Sequence, residues 1–296
     1  MDQELLEKVM NQVKAELGAA ATPAATVAPA AAAPAAGAEM ISTVAPAASA
    51  PAAALSSMKG DATGISKALG RTEFVGTSIG DTIGLVIASV DPMLKDAMKL
   101  GKFRSIGIIG GRTGAGPQIM AVDDAVKATN TEIISVELPR DTKGGAGHGS
   151  LILIGAEDVS DARRAVETAL QVLPKYFGDV YGNDAGHLEF QYSARASYCL
   201  EKALGAKFGK AFGMTCAGPA AIGVVLADTA VKAANVEVVG YSSPGNGGTS
   251  FSNEVILCFS GDSGAVRQAV KAAIEVGKKL LGALGDEPKS TTTPYI

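Results

Sequence analysis

The chain has 296 residues, 47% of them hydrophobic, which is enough for about two domains with real cores. Its net charge of −4 excludes the basic footprint of a nucleic-acid binder. Charged residues make up only 19% and glycine is abundant, so a surface this poor in charge is expected to be covered by copies of the same chain.

Residues 1–17 open with an amphipathic pattern. Leu5, Leu6, Val9, Met10, Val13 and Leu17 recur at three- and four-residue spacing and face away from Glu4, Glu7, Lys8, Asn11, Lys14 and Glu16. A helix this short is marginal alone in water, so it is expected to dock on a partner surface. Residues 18–71 follow as a linker. Up to Ser57 it is almost wholly Ala, Pro, Thr and Ser, and Pro23, Pro29, Pro34, Pro46 and Pro51 prevent a continuous alanine helix. A tether with reach is the expectation.

The body beyond Thr72 contains an internal repeat. Asp123-Asp124-Ala125-Val126-Lys127-Ala128-Thr129-Asn130-Thr131-Glu132 returns 105 residues later as Asp228-Thr229-Ala230-Val231-Lys232-Ala233-Ala234-Asn235-Val236-Glu237. Ala162-Arg163-Arg164-Ala165-Val166 returns as Val266-Arg267-Gln268-Ala269-Val270. A period of this size marks a duplicated domain, and the copies are placed at 72–178 and 179–286, with a tail at 287–296. In the first copy, strands are predicted at Ile83–Val90, Arg104–Ile109, Glu132–Glu137 and Leu151–Ile154, and helices at Gln118–Ala128 and Ser160–Leu173. In the second, strands are predicted near Phe212–Cys216, Val236–Tyr241 and Val255–Phe259, and helices near Ala221–Ala233 and Ser263–Leu281. Strands and helices mix without strict alternation, which favours an α+β fold. The weakly polar run Ala211–Ala227 is broken by Gly213, Gly218, Pro219 and Gly223. It reads as a buried strand followed by a helix, with no membrane span.

Several features invite an enzymatic reading and lack its chemistry. Gly110-Gly111-Arg112-Thr113-Gly114-Ala115-Gly116 looks like a phosphate loop, but no Gly-Lys-Ser/Thr follows and Pro117 removes a donor. His148 and His187 are far apart, without metal-ligand spacing. Cys199, Cys216 and Cys258 form no Cys-x-x-Cys pair and are read as small hydrophobes in a reducing cytoplasm. No catalytic residue, metal or cofactor is assigned.

At Lys232-Ala-Ala-Asn-Val-Glu-Val-Val-Gly-Tyr241 and Gly261-Asp-Ser-Gly-Ala-Val-Arg-Gln-Ala-Val270 the chain resembles the bacterial microcompartment shell domain. Both copies carry forms of each signature. The strand-and-helix segment ahead of each one is similar to the circularly permuted, tandem-domain subclass. Thr72–Thr77, Glu137–Ser150 and Phe251–Glu254 resemble tandem shell proteins of the propanediol-utilisation type. The resemblance implies two ferredoxin-like antiparallel sheets with flanking helices, and a homotrimer whose six domains imitate a hexagon. It also implies edge-to-edge contact with other shell proteins in a microcompartment wall. In the family, the lysine matching Lys127 and Lys232 lies at the tile edge, so those residues, with Asn130 and Asn235, are the edge candidates.

The glycine-rich loops are the pore candidates, through Lys143, Gly144, Gly145, Gly147 and His148 in the first copy and Ser242, Ser243, Asn246 and Thr249 in the second. Glycines let backbone crowd near an axis, and exposed peptide and hydroxyl groups suit small diol or alcohol metabolites. Some tandem shell proteins hold an iron–sulfur cluster through a cysteine in the second loop, where this chain has Ser242 and Ser243. The docking helix is read as a tether to encapsulated enzymes. Walls of ethanol, choline or glycyl-radical compartments, and a trimeric metabolite sensor, stay open as other readings.

Overall fold

The computed structural model describes residues 72–139, 148–246 and 254–296. The docking helix, the linker and the pore candidates Lys143, Gly144, Gly145, Gly147 and Thr249 lie outside them.

The first copy runs β1 (Thr72–Ser78), β2 (Thr82–Ile87), a short α1 (Pro92–Ala97), β3 (Ser105–Gly111), α2 (Gly116–Lys127), β4 (Glu132–Glu137), β5 (Ser150–Ala156) and α3 (Val159–Tyr176). The second repeats it as β6 (Val180–Asn183), β7 (Gly186–Ser193), α4 (Tyr198–Leu204), β8 (Ala211–Gly218), α5 (Ala220–Ala233), β9 (Glu237–Ser242), β10 (Val255–Gly261) and α6 (Ser263–Gly282). The sheets share one strand order, β1-β2-β3-β5-β4 and β6-β7-β8-β10-β9, and every pairing is antiparallel. The fold is α+β, as the mixed pattern implied.

The long helices owe their placement to a small-residue stripe. On α3, Ala162, Ala165, Val166, Ala169, Leu170 and Leu173 recur at helical spacing and are buried. On α6, Val266, Ala269, Val270, Ala273, Gly277 and Leu281 do the same. Alanine at these positions lets helix and sheet approach closely; Val166 lies directly over Gly84 and Gly107, where a Cβ would collide with it.

Strand β8 is buried at all eight positions. Ala211 and Ala217 face the core formed with α5 and α6, whereas Phe212, Met214 and Cys216 face the core of the first copy. This strand is covered on both sides, which is why 211–218 reads as a continuous apolar run. The run then continues into α5, so strand-then-helix is its structure. Among the described residues no helix is long and apolar enough to cross a membrane.

The segment expected as a tail is part of the fold. A two-residue β11 (Lys289–Ser290) adds to the edge of β6. Beyond it, buried Asp179 accepts hydrogen bonds from the backbone N–H groups of Tyr295 (2.8 Å) and Ile296 (3.1 Å). The Tyr295 ring meets Tyr176 edge to face at 5.4 Å.

Candidate functional site

The junction between the two copies is built by α4, which crosses from the second copy onto α2 and β4 of the first. Ser197 caps α4 by accepting from the Cys199 N–H (3.1 Å). Asp123, fully buried on α2, accepts from the Ser197 N–H (2.9 Å), the Ser197 hydroxyl (2.5 Å) and the Lys127 ammonium (2.5 Å). These donors offset the desolvation of the buried carboxyl group. Cys199 and Leu200 seal the contact, and Lys202 Nζ donates to the carbonyls of Ile133 (3.2 Å) and Ile134 (2.5 Å).

The same surfaces occur a second time, uncovered among the described residues. α1 is the counterpart of α4: each starts one residue after its cap, and each ends on a left-handed residue, Lys99 (φ 55°) and Gly205 (φ 69°). Yet Met93 is 85% exposed where its counterpart Cys199 is 0%, and Leu94 is exposed where Leu200 is buried. On the opposite side, Val224 of α5 is 50% exposed where its counterpart Ile119 is 1%. Val225, Val231, Val238 and Tyr241 extend that exposed apolar face over α5 and β9. Asp228, the counterpart of buried Asp123, is exposed and pairs only with Lys232 (2.7 Å) among the contacts of the described residues.

The four edge candidates, Lys127, Asn130, Lys232 and Asn235, are all exposed, but their contacts differ. Lys127 is drawn into the junction, held by Asp123 and by the Ser193 hydroxyl at 3.2 Å. With Ala128, Thr129, Asn130, Asp161 and Arg164 it lines a shallow surface groove. Of the pore candidates, Ser242 and Ser243 are half-buried at the end of β9, and Asn246 closes a single 3₁₀ turn, Pro244–Asn246. His148 precedes β5, and neither ring nitrogen has a hydrogen-bond partner among the described residues.

A second polar group was not anticipated. In sequence, the spacing of His187 from His148 fits no metal site. The sheet brings it instead to Cys216 and Glu254, with one ligand atom of each within 4.8 Å of the others. His187 Nε2 lies 3.3 Å from Glu254 Oε2. Register explains the meeting: His187 pairs with Gly218 on β8, and Glu254 immediately precedes Val255, which pairs with Ala217. The two side chains therefore approach over a residue that has none. Glu189, two positions along β7, pairs with Cys216. Its carboxylate lies against Gly116 at the start of α2, where a Cβ would overlap it, and accepts from Gln191 Nε2 at 3.3 Å. The glycines of the phosphate-loop lookalike thus make room for an acid of the other copy.

Burial, reinforced by the charge of Glu254, pushes the Glu189 carboxyl up to about 7. For His187 burial works to lower the pKa, but the hydrogen bond and charge of Glu254 outweigh it and the net shift is upward. Cys216 is raised well above the ordinary thiol value, first by burial and then by Glu254 and Glu189. The signal available in the sequence was the alternation His187-x-Glu189-x-Gln191, a period-two polar stripe on a strand.

The BMC domain model matches residues 105–183 and 211–285, starting at β3 and at β8, the equivalent strands of the two copies. The chain is 67% identical over 231 residues to the bacterial microcompartment shell protein PduB of Salmonella typhimurium, covering 78% of this chain and 85% of that protein. The crystal structure of a trimeric bacterial microcompartment shell protein PduB superposes with a TM-score of 0.73 at 55% identity, covering 75% of this chain and 99% of that one. EtuB from Clostridium kluyveri gives the same TM-score and identity, over 75% of this chain and 98% of its own. The chain therefore belongs to the BMC-domain family of bacterial microcompartment shell proteins, with two of those domains in tandem.

Proposed function

We propose that the chain works as a non-catalytic wall tile, a closed ring of three copies in which α1 of each packs on α5 and β9 of the next. The observation that carries this is the contrast between buried Cys199 and Leu200 and their exposed counterparts Met93 and Leu94. One α4-type junction is already satisfied within the chain; among the described residues the halves of a second lie exposed. Each large apolar side chain covered there contributes about 1.5–3 kcal/mol. The trimeric relative supports a ring of three. Exposed Lys127, Asn130, Lys232 and Asn235 are proposed as edge contacts between tiles, and the loops bearing His148 and Ser242 as openings for small polar alcohols. The sequence pattern of residues 1–17 supports a tether to luminal enzymes.

Replacing both Met93 and Leu94 by Asp tests the ring. Light scattering should show the chain falling from a trimer to a single copy, with its circular dichroism unchanged. A variant that remains trimeric would overturn the proposed junction.

A further inference from the structure

We propose that His187, Cys216 and Glu254 bind one zinc-class divalent cation at the junction between the two copies. The donor set is one imidazole nitrogen, one thiolate sulfur and one carboxylate oxygen. This mixture suits zinc and disfavours magnesium and calcium, which take oxygen. Zinc bonds of about 2.0–2.3 Å set tetrahedral ligands roughly 3.3–3.8 Å apart. The His187–Glu254 separation of 3.3 Å already matches one edge of that figure. Cys216 closes the triangle within 4.8 Å, a span that a small side-chain rotation shortens.

Three independent features make the cluster a site and not a chance encounter. First, Gly218 sits between the two flanking strands and leaves the space open above β8. Second, Cys216 and Glu254 are buried while the His187 side chain is partly exposed, so the cluster spans the boundary between core and solvent. Third, buried Glu189 pairs with Cys216 one row below and places a further polar carboxyl beside the three ligands.

Three ligands from one chain leave a fourth position for water or a passing oxygen donor. Binding removes the Cys216 proton, which passes to solvent as the sulfur–metal bond forms. The first copy has no equivalent. Its matching positions are Asp81, Gly110 and Gly149, so the site occurs once per chain. The inference concerns a single chain and stands whether or not the wall-tile reading holds.

The test uses the purified full-length chain, stripped with a chelator and then titrated with Co²⁺ and with Zn²⁺. One metal per chain is expected, with cobalt giving a near-ultraviolet thiolate charge-transfer band. Cys216→Ser should abolish that band, while Cys258→Ser, also a buried cysteine on the neighbouring strand, should keep it. His187→Gln changes a half-exposed side chain. It should weaken zinc binding by at least about 100-fold while the metal-free melting curve stays in place. Absence of the cobalt band, or zinc binding unchanged in both Cys216→Ser and His187→Gln, would overturn the site.

Discussion

Gly116 has room only for hydrogen because the Glu189 carboxylate crosses its α-carbon, and that crowding also fixes how Glu189 titrates. The acid is held at about 7 in the folded chain against roughly 4.3 when unfolded. A raised carboxyl pKa means the folded state keeps its proton longer than the unfolded state does. The associated stability is complete below pH ~4 and drains as pH climbs through about 7, a loss on the order of 3 kcal/mol. His187, also shifted upward, has the same sign. Urea melts in chelator should therefore show falling stability from pH 5 to pH 8, and Glu189→Gln should flatten most of that slope. A wild-type stability rising over the same interval would contradict the buried, protonated acid. Lys127 and Lys232 teach a related lesson. They hold the same place in the repeat, yet one is locked to a buried Asp123 and the other stands in solvent. Identical letters in two copies do not imply identical surroundings when one copy is covered by the other.

At the scale of elements, periodicity carried the reading where it had length to act on. The predicted helix Ser263–Leu281 is observed as Ser263–Gly282, fixed by its helical stripe, and the strand Glu132–Glu137 has the predicted bounds, its β-branched Ile133, Ile134 and Val136 set between two glutamates. The elements that went unread share a physical cause. α1 and α4 have six and seven residues, too few for a helical stripe to repeat. β7 carries polar His187, Glu189 and Gln191 on one face, which breaks the apolar pattern of a strand, and of these Glu189 is covered by Gly116 of the first copy. The junction was illegible for that reason: its apolar residues are scattered, one short stretch at a time, over α1, α4, α5 and β9. The final residues misled in the opposite way, since a polar Ser-Thr-Thr-Thr run suggests a free end. In the structure Ser290 and Thr292 hydrogen-bond backbone carbonyls of Gly178 and Pro174, and Tyr295 fills the gap beside Tyr176. Tyr295→Ala removes that ring and the hydrogen bond from the Tyr192 N–H (3.1 Å). It should lower unfolding stability by about 2–4 kcal/mol in urea. A change under about 0.5 kcal/mol would mean the strap is not held in solution.

For the whole molecule the decisive property is that its two open faces differ. A face that met its own copy about a twofold axis would yield dimers, whereas unlike faces joined head to tail must close into a ring or run on as a filament. The duplication favours closure here, because the junction inside the chain already sets the rotation that the junction between chains would repeat. This logic predicts an asymmetric outcome for two separate lesions. A chain carrying Met93→Asp and Leu94→Asp keeps a sound α5 and β9 face; a chain carrying Val224→Asp and Val238→Asp keeps a sound α1. Each alone should be a single copy by light scattering. Mixed in equal amounts, they retain one intact junction between them and should form a one-to-one pair that cannot add a third member. If the lesions instead act on a self-complementary face, mixing should give no pair at all, and the head-to-tail ring would have to be abandoned.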